Sequence, residues 1–145
     1  MGLVYYSLDS SIAKFFESRP PVTRSECDEL AISLVGEPVF PVPIQGCFSY
    51  TVIAGAEQST IIQFRAEEAD LDTEILDLAQ QIHGKLVPAY TYYGHIGQSS
   101  PLSIYVIERV PSIPYIQAQF DYLTLHHSNT VSDFAMYAYG TYIRF

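Results

Sequence analysis

The sequence has no tryptophan, only two cysteines, and only seven lysine and arginine residues among its 145 residues. The basic residues are scattered singly, and the formal net charge is −9. Because proteins that bind nucleic acids or anionic membranes need clustered positive charge, this distribution argues against both kinds of partner. Cys27 and Cys47 are too far apart for a metal-binding Cys-x-x-Cys pair. We therefore expect two buried, reduced thiols in a cytoplasmic protein.

Long apolar runs and common catalytic motifs are also missing. No apolar stretch approaches the roughly 20 residues that span a bilayer. The first residues lack the basic start and apolar core of a secretory signal. The sequence has no GxSxG, P-loop or HExxH motif, so it gives no indication of the serine hydrolase, NTPase or metalloprotease sites that those motifs build.

Apolar and aromatic residues are abundant instead. They include twelve tyrosines and eight phenylalanines, and 48% of all residues are hydrophobic. This composition is typical of a folded chain with a core. The length fits one domain, and we expect a single compact unit.

Two helices are predicted in residues 1–36, which we assign to an N-terminal helical segment. Residues 11–17 have one apolar face and are followed by prolines. Thr23 and Glu26 match a capping box at the start of the second helix. Gly36 lies where a C-terminal cap is expected.

From residue 37 onward the pattern predicts five strands and one more helix. The predicted strands are residues 39–44, 49–53, 60–65, 89–93 and 102–107, and the predicted helix spans residues 71–82. Short connections favour one antiparallel sheet with that helix packed on it, which is an α+β fold. Residues 113–145 are predicted to form a C-terminal helical tail, so extra helices flank the sheet at both ends.

Five short segments carry a further signal: residues 42–52, 61–65, 71–72, 84–88 and 105–108. Together they resemble the aminoglycoside-phosphotransferase-like (kinase-like) family, particularly its fungal members. Their order and spacing imply that residues 37–112 form a kinase-like small lobe, which is the ATP-binding lobe of a small-molecule kinase.

The resemblance implies where the phosphates of ATP would lie. The turn at residues 45–51, with Gly46 and Ser49, would cover them, although an ordinary hairpin turn is the alternative. Gln63 occupies the position where such kinases place a lysine or arginine on the third strand. Arg65 shares its face and could supply the missing charge, or it could face solvent.

The resemblance also assigns roles to residues after the third strand. Glu74 would be the helix carboxylate that pairs with the strand cation, and a solvated glutamate is the alternative. Glu108 to Val110 would form the hinge whose backbone meets the adenine edge. Pro111 follows the hinge, and the glycine that is often found in this linker is missing there.

The lobe that carries the family's catalytic residues is not recognisable after the hinge. Only 35 residues follow Val110 (145 − 110), which are too few for it. His126 and Asp133 lie in segments that look like a compressed catalytic loop and metal-binding triplet, but the loop has no aspartate and the segments are too close together. We predict no catalytic and no metal-binding residue. We expect a truncated pseudoenzyme in which binding of ATP and Mg²⁺ is weak or absent.

Two other functions stay open. The chain could be an interaction or scaffold module that binds a protein partner, or a second copy of itself, through aromatic residues of the tail. It could also be an enzyme of another mechanism that uses Ser49, Gln63, Arg65 and Glu74. The aromatic tail residues are Tyr115, Phe120, Tyr122, Phe134, Tyr137, Tyr139 and Tyr142.

Overall fold

A computed structural model describes residues 5–111 of the chain. These residues form three α-helices and five strands, in the predicted order. The elements are α1 (Leu8–Glu17), α2 (Arg24–Val35), β1 (Val39–Pro41), β2 (Ser49–Ala54), β3 (Thr60–Ala66), α3 (Thr73–His83), β4 (Tyr90–Ile96) and β5 (Leu102–Glu108). Short 3₁₀ turns follow β3 at Glu67–Ala69 and α3 at Gly84–Leu86. The α+β class is confirmed.

The described residues belong to two compact units. The first contains residues 5–72 and 90–109, and the second contains residues 73–89 and 110–111. The first unit therefore holds α1, α2 and the whole sheet, whereas α3 belongs to the second. Packing of α3 on the sheet stays a prediction, as do the domain boundaries at residues 36 and 112.

The five strands of the first unit form one open antiparallel sheet, as predicted. Its order is β1-β2-β3-β5-β4. In the middle of the sheet Tyr50 pairs with Phe64, and Phe64 pairs with Ile104. Each strand thus runs opposite to its neighbours, and one row of large apolar side chains crosses three strands.

The core of the first unit lies between that row and the two N-terminal helices. Ile12 and Phe15 of α1 and Cys27 and Ala31 of α2 are buried with apolar residues of β2, β3 and β5. The N-terminal helices therefore cover one face of the sheet, because their apolar stripes have the length and spacing to bury it. This covering role was not evident from the sequence. The expectation of two buried thiols is confirmed for Cys27 and wrong for Cys47, which is exposed in the turn before β2.

The predicted capping residues are confirmed at α2. The backbone N–H of Thr23 donates to the Glu26 carboxylate at 2.8 Å, and the N–H of Glu26 donates to the Thr23 hydroxyl at 3.3 Å. These hydrogen bonds lower the pKa of the Glu26 carboxyl. Gly36 ends the helix with φ 103°, and its N–H donates to the Ile32 carbonyl.

Two strands differ by more than one residue in length from their predictions. β1 ends at Pro41 rather than at residue 44, because the prolines at 41 and 43 have no N–H for the sheet. β4 continues to Ile96 rather than ending at residue 93. A shift of register between Tyr92 and Gly94 lets the strand pass its glycine as a bulge instead of stopping there.

The second unit is described through α3 and the turn after it. The side chain of Gln80 donates a 2.9 Å hydrogen bond to the Pro88 carbonyl, which holds the turn against the helix. No residue of α3 is buried. Among the described residues no helix has both the length and the apolar character needed to cross a membrane. The predicted tail helix, its aromatic residues, His126, His127 and Asp133 lie outside the described residues.

Candidate functional site

The face of the sheet opposite the core, called here the second face, carries three rows of side chains. Because side chains alternate along a strand, every second residue of β2, β3 and β5 belongs to it. The polar row crosses four strands and consists of Ser49, Arg65, Ser103 and His95; the middle row consists of Thr51, Gln63, Tyr105 and Tyr92; and the apolar row consists of Phe40, Ile53, Ile61, Ile107 and Tyr90.

The rows form a gradient of polarity along the strands. Successive rows are two residues apart, so the polar and apolar rows are separated by four residues, or about 13 Å. One end of the second face thus offers hydroxyl, guanidinium and imidazole groups, and the other offers aliphatic and aromatic side chains. An elongated ligand with one charged end and one apolar end fits such a surface.

Arg65 is the only cation of the three rows with a permanent charge. Its Nε donates to the Ala69 carbonyl at 2.7 Å, and its Nη1 donates to Oε1 of Gln63 at 3.1 Å. Both partners are neutral, and within the described part of the first unit no carboxylate forms an ion pair with Arg65. A guanidinium has five N–H donors, so Arg65 is held in place with donors to spare.

Three hydroxyls of the second face lie close to Arg65 in the register. Ser49 and Ser103 are its direct partners on β2 and β5, and Thr51 pairs with Gln63. The three residues are 7–8% exposed. Among residues 5–111, none of their hydroxyls forms a hydrogen bond with the protein. Their oxygens are not fully enclosed by the protein, so these hydroxyls can still donate to or accept from a polar ligand.

The turn before β2 is fixed by the side chain of Gln45. Its Oε1 accepts from the Thr51 N–H at 2.8 Å, and its Nε2 donates to the carbonyls of Thr51 at 2.9 Å and Val42 at 3.0 Å. The backbone N–H of Gln45 donates to the Tyr6 hydroxyl at 2.8 Å. The amides of Gln45 and Thr51 are therefore occupied by the protein.

Gly46 lies against the hydroxyl of Ser49. A Cβ atom at Gly46 would come within 3.1 Å of Ser49 Oγ. The glycine thus leaves that hydroxyl room at the start of β2. This contact brings together the two residues that the sequence assigned to the phosphate turn.

Two tyrosines form the aromatic part of the middle row. The ring centroids of Tyr92 and Tyr105 are 5.3 Å apart. The Tyr105 hydroxyl accepts a 3.2 Å hydrogen bond from the Leu71 N–H. Burial raises the pKa of Tyr105, and the negative charge of Asp70 adds to this shift. Tyr105 therefore stays neutral and keeps its ring fixed beside Gln63.

The structure brings four of the seven predicted site residues together. Gly46, Ser49, Gln63 and Arg65 lie around the start of β2 and the end of β3. Glu108 ends β5 opposite Thr60, one residue beyond the apolar row. The chain is held there by the Arg109 N–H, which donates to the Ser59 carbonyl at 2.8 Å.

The remaining two predicted site residues belong to the second unit. Glu74 lies in the first turn of α3, and Val110 follows the last residue of the first unit. The pairing of Glu74 with a strand cation and the contact of Val110 with adenine stay predictions.

Five residues of the polar and middle rows were missed in the sequence: Thr51, Ser103, Tyr105, Tyr92 and His95. For Ser103 and Tyr105 a signal was present, since the alternation of β5 already separates them from Leu102 and Ile104. For His95 it was not, because the bulge at Tyr93 shifts the alternation of β4.

A small cavity lies elsewhere in the first unit, beside Arg19. Its volume is about 130 Å³, and its lining includes Glu67, Glu68, Ser99 and Ser100. Arg19 already pairs with Glu68 at 2.5 Å. Within the described ranges no group of three histidine, cysteine or acidic side chains could hold a metal ion.

Comparison with known proteins does not assign the chain to a family. No protein-family model matches the sequence, and no curated protein or solved structure matches it either. The likeness to kinase-like phosphotransferases therefore rests on the short segments of the sequence described above, and it stays a prediction.

Proposed function

We propose that the second face binds a nucleotide as the ATP-binding surface of a kinase-like small lobe. The adenine would lie against the apolar row and the phosphates would lie at the polar row. The observation that supports this proposal is the gradient of the three rows, whose two ends match the two ends of ATP in polarity.

Three isoleucines would form the surface that contacts the adenine. Ile53, Ile61 and Ile107 are neighbours in the register of β2, β3 and β5. All three are partly exposed, so they offer apolar surface to a flat ring. Glu108 follows Ile107 directly, and its backbone lies at the edge where the purine would end. Apolar walls with a few backbone partners are typical of cofactor sites.

The phosphate end rests on Arg65. The family places its cation at the position of Gln63, which is neutral in this chain. The hydrogen bond from Arg65 to Gln63 brings the guanidinium to that position from two residues away. Ser49 and the turn containing Gly46 adjoin it. Guanidinium and hydroxyl donors together suit phosphate oxygens.

The proposal is one of binding and not of catalysis by these residues. Phosphoryl transfer requires carboxylates that hold Mg²⁺ and orient the attacking hydroxyl. The three rows contain no aspartate or glutamate. A single face encloses only part of a nucleotide, so we expect a dissociation constant of about 1 mM, which corresponds to roughly −4 kcal/mol.

Amide chemical shifts in a titration with ATP and Mg²⁺ would test the proposal. We expect the shifts to concentrate in β2, β3 and β5. The Arg65→Gln variant should bind about fivefold more weakly because it loses charged hydrogen bonds. Lys14→Gln is the matched control, since it also removes one positive charge but Lys14 is exposed on α1, on the other side of the sheet. Shifts unaffected by Arg65→Gln would contradict the proposal.

A second candidate function is a protein-interaction or scaffold module. Several large apolar side chains are about half exposed, including Phe40 and Phe48 in the first unit and Leu78 and Ile82 on α3. Exposed apolar groups of this size recur at interfaces. Light scattering during gel filtration would test self-association: a mass that rises with concentration supports this function, and a monomer at all concentrations contradicts the homo-oligomer.

A further inference from the structure

The polar row continues past Arg65 to the last two strands of the sheet. Arg65 has Ser49 beside it on β2 and Ser103 beside it on β5. Ser103 in turn pairs with His95 of β4. The phosphate end proposed above uses the β2 side of Arg65 only, so Ser103 and His95 have no role in it.

The hydroxyl of Ser103 forms no hydrogen bond with residues 5–111. The residue is 7% exposed. Its oxygen is not fully enclosed by the protein, so the hydroxyl can still donate to a ligand oxygen. Leu102 and Ile104, its neighbours in sequence, point into the core instead.

The three side chains on this side of the row are close enough to hold one group. Residues that pair directly across antiparallel strands have Cβ atoms roughly 5 Å apart. Arg65 and Ser103 are such a pair, and so are Ser103 and His95. All three can donate hydrogen bonds, and the row contains no carboxylate. This donor set suits a tetrahedral anion.

We infer that Arg65, Ser103 and His95 form a phosphate subsite on the β5–β4 side of the second face. The inference rests on the proposed function in that it takes the second face as a binding surface. It adds Ser103 and His95, which the resemblance does not imply. The bound group is a phosphate, either the terminal phosphate of the nucleotide or that of a separate phosphate ester.

Titration with inorganic phosphate, followed by amide chemical shifts at constant ionic strength, tests the subsite. We expect shifts at Arg65, Ser103 and His95. Ser103→Ala should weaken phosphate binding about threefold to tenfold, which is the effect of losing one hydrogen bond. Thr60→Ala is the control, because Thr60 lies on the opposite face of β3. Equal binding by Ser103→Ala and the unchanged protein would overturn the inference, as would shifts that sodium chloride reproduces.

Two further titrations show which molecule supplies the bound phosphate, and they test the proposed function and the phosphate subsite separately. If saturating ATP abolishes the phosphate shifts, the nucleotide's own phosphate fills the subsite; if they persist, a separate phosphate ester does. Adenosine alone tests the apolar row. Phosphate binding without adenosine binding would contradict the proposed function only. Adenosine binding without phosphate binding would contradict the subsite only.

Discussion

The hydroxyl of Tyr50 donates a 2.8 Å hydrogen bond to Oδ1 of Asp28 and so ties β2 to α2. Arg24 contributes from the same helix: its guanidinium lies 5.9 Å from the Tyr50 ring centroid, and its Nε lies 3.5 Å from Oδ2 of Asp28. The ring itself is buried in the core. A charge-assisted hydrogen bond therefore fixes the position of a helix on the sheet.

Removing this hydroxyl should destabilise the first unit. We expect Tyr50→Phe to lower the free energy of unfolding by about 1–2 kcal/mol, since the lost hydrogen bond involves a charged acceptor. Urea denaturation measures the change. Tyr93→Phe is the matched control, because Tyr93 is half exposed, and it should change stability by less than about 0.5 kcal/mol. An equal loss in both variants would show that Asp28 contributes nothing.

Stability should fall at alkaline pH. Burial raises the pKa of the Cys27 thiol from 9.0 to about 12, and burial and the bond to Asp28 also raise the pKa of Tyr50. Both groups are neutral in the folded state, so their contribution is complete below the unfolded pKa values. It is lost as the pH rises from about 9 toward 12.

Urea denaturation at several pH values between 8 and 11 checks this prediction. The free energy of unfolding should decrease over that range, and Cys27→Ala should make the decrease shallower although it lowers stability at pH 8. A free energy of unfolding that stays constant or rises above pH 9 would show that neither group is buried as described.

The amide of Gln45 should not tolerate replacement by a carboxylate. Gln45→Glu keeps the size but loses the donor that serves the carbonyls of Thr51 and Val42. Carbonyl oxygens would then face a buried negative charge, and we expect a loss of about 2–4 kcal/mol in the free energy of unfolding. Gln81→Glu, on the exposed part of α3, should be nearly neutral. Comparable thermal stability of the two variants would contradict the bracing role.

Gly97 should be much more sensitive to alanine than Gly94. Both have positive φ, 93° and 130°, so both variants carry backbone strain of about 1–2 kcal/mol. A Cβ atom at Gly97 would also lie 2.5 Å from Cγ2 of the buried Val22, whereas nothing lies within 4 Å of one at Gly94. We expect an extra cost of about 1–3 kcal/mol for Gly97→Ala.

The Val22→Ala variant identifies the source of that extra cost. In the double variant with Gly97→Ala, the combined loss of stability should be smaller than the sum of the two single losses, because the clashing methyl group is gone. Strictly additive losses would assign the cost of Gly97→Ala to the backbone alone.

Local chemistry made most of the elements predictable from the sequence. The capping box of Thr23 and Glu26 fixed the start of α2, and Gly36 fixed its end. Prolines and β-branched residues separated the strands. These signals depend on residues that are close in the chain, so they can be recognised without knowledge of the fold.

The candidate site was less predictable because it depends on register. Gln63 and Arg65 were recognised, since two residues on one strand share a face. Ser103 joins Arg65 only through the pairing of β3 with β5, and His95 joins only because a bulge shifts β4. The side chain of Gln45 likewise forms hydrogen bonds with backbone groups of Val42 and Thr51. The residue type alone does not predict these bonds.

The two outer strands of the described sheet are poor templates for a further strand. β1 is three residues long and ends at Pro41, and a proline offers no N–H to an incoming chain. On the other side, the bulge in β4 interrupts the spacing of its outward backbone groups. Lateral growth into a continuous intermolecular sheet is thereby disfavoured at both edges, which favours side-chain surfaces for association of this first unit with other molecules.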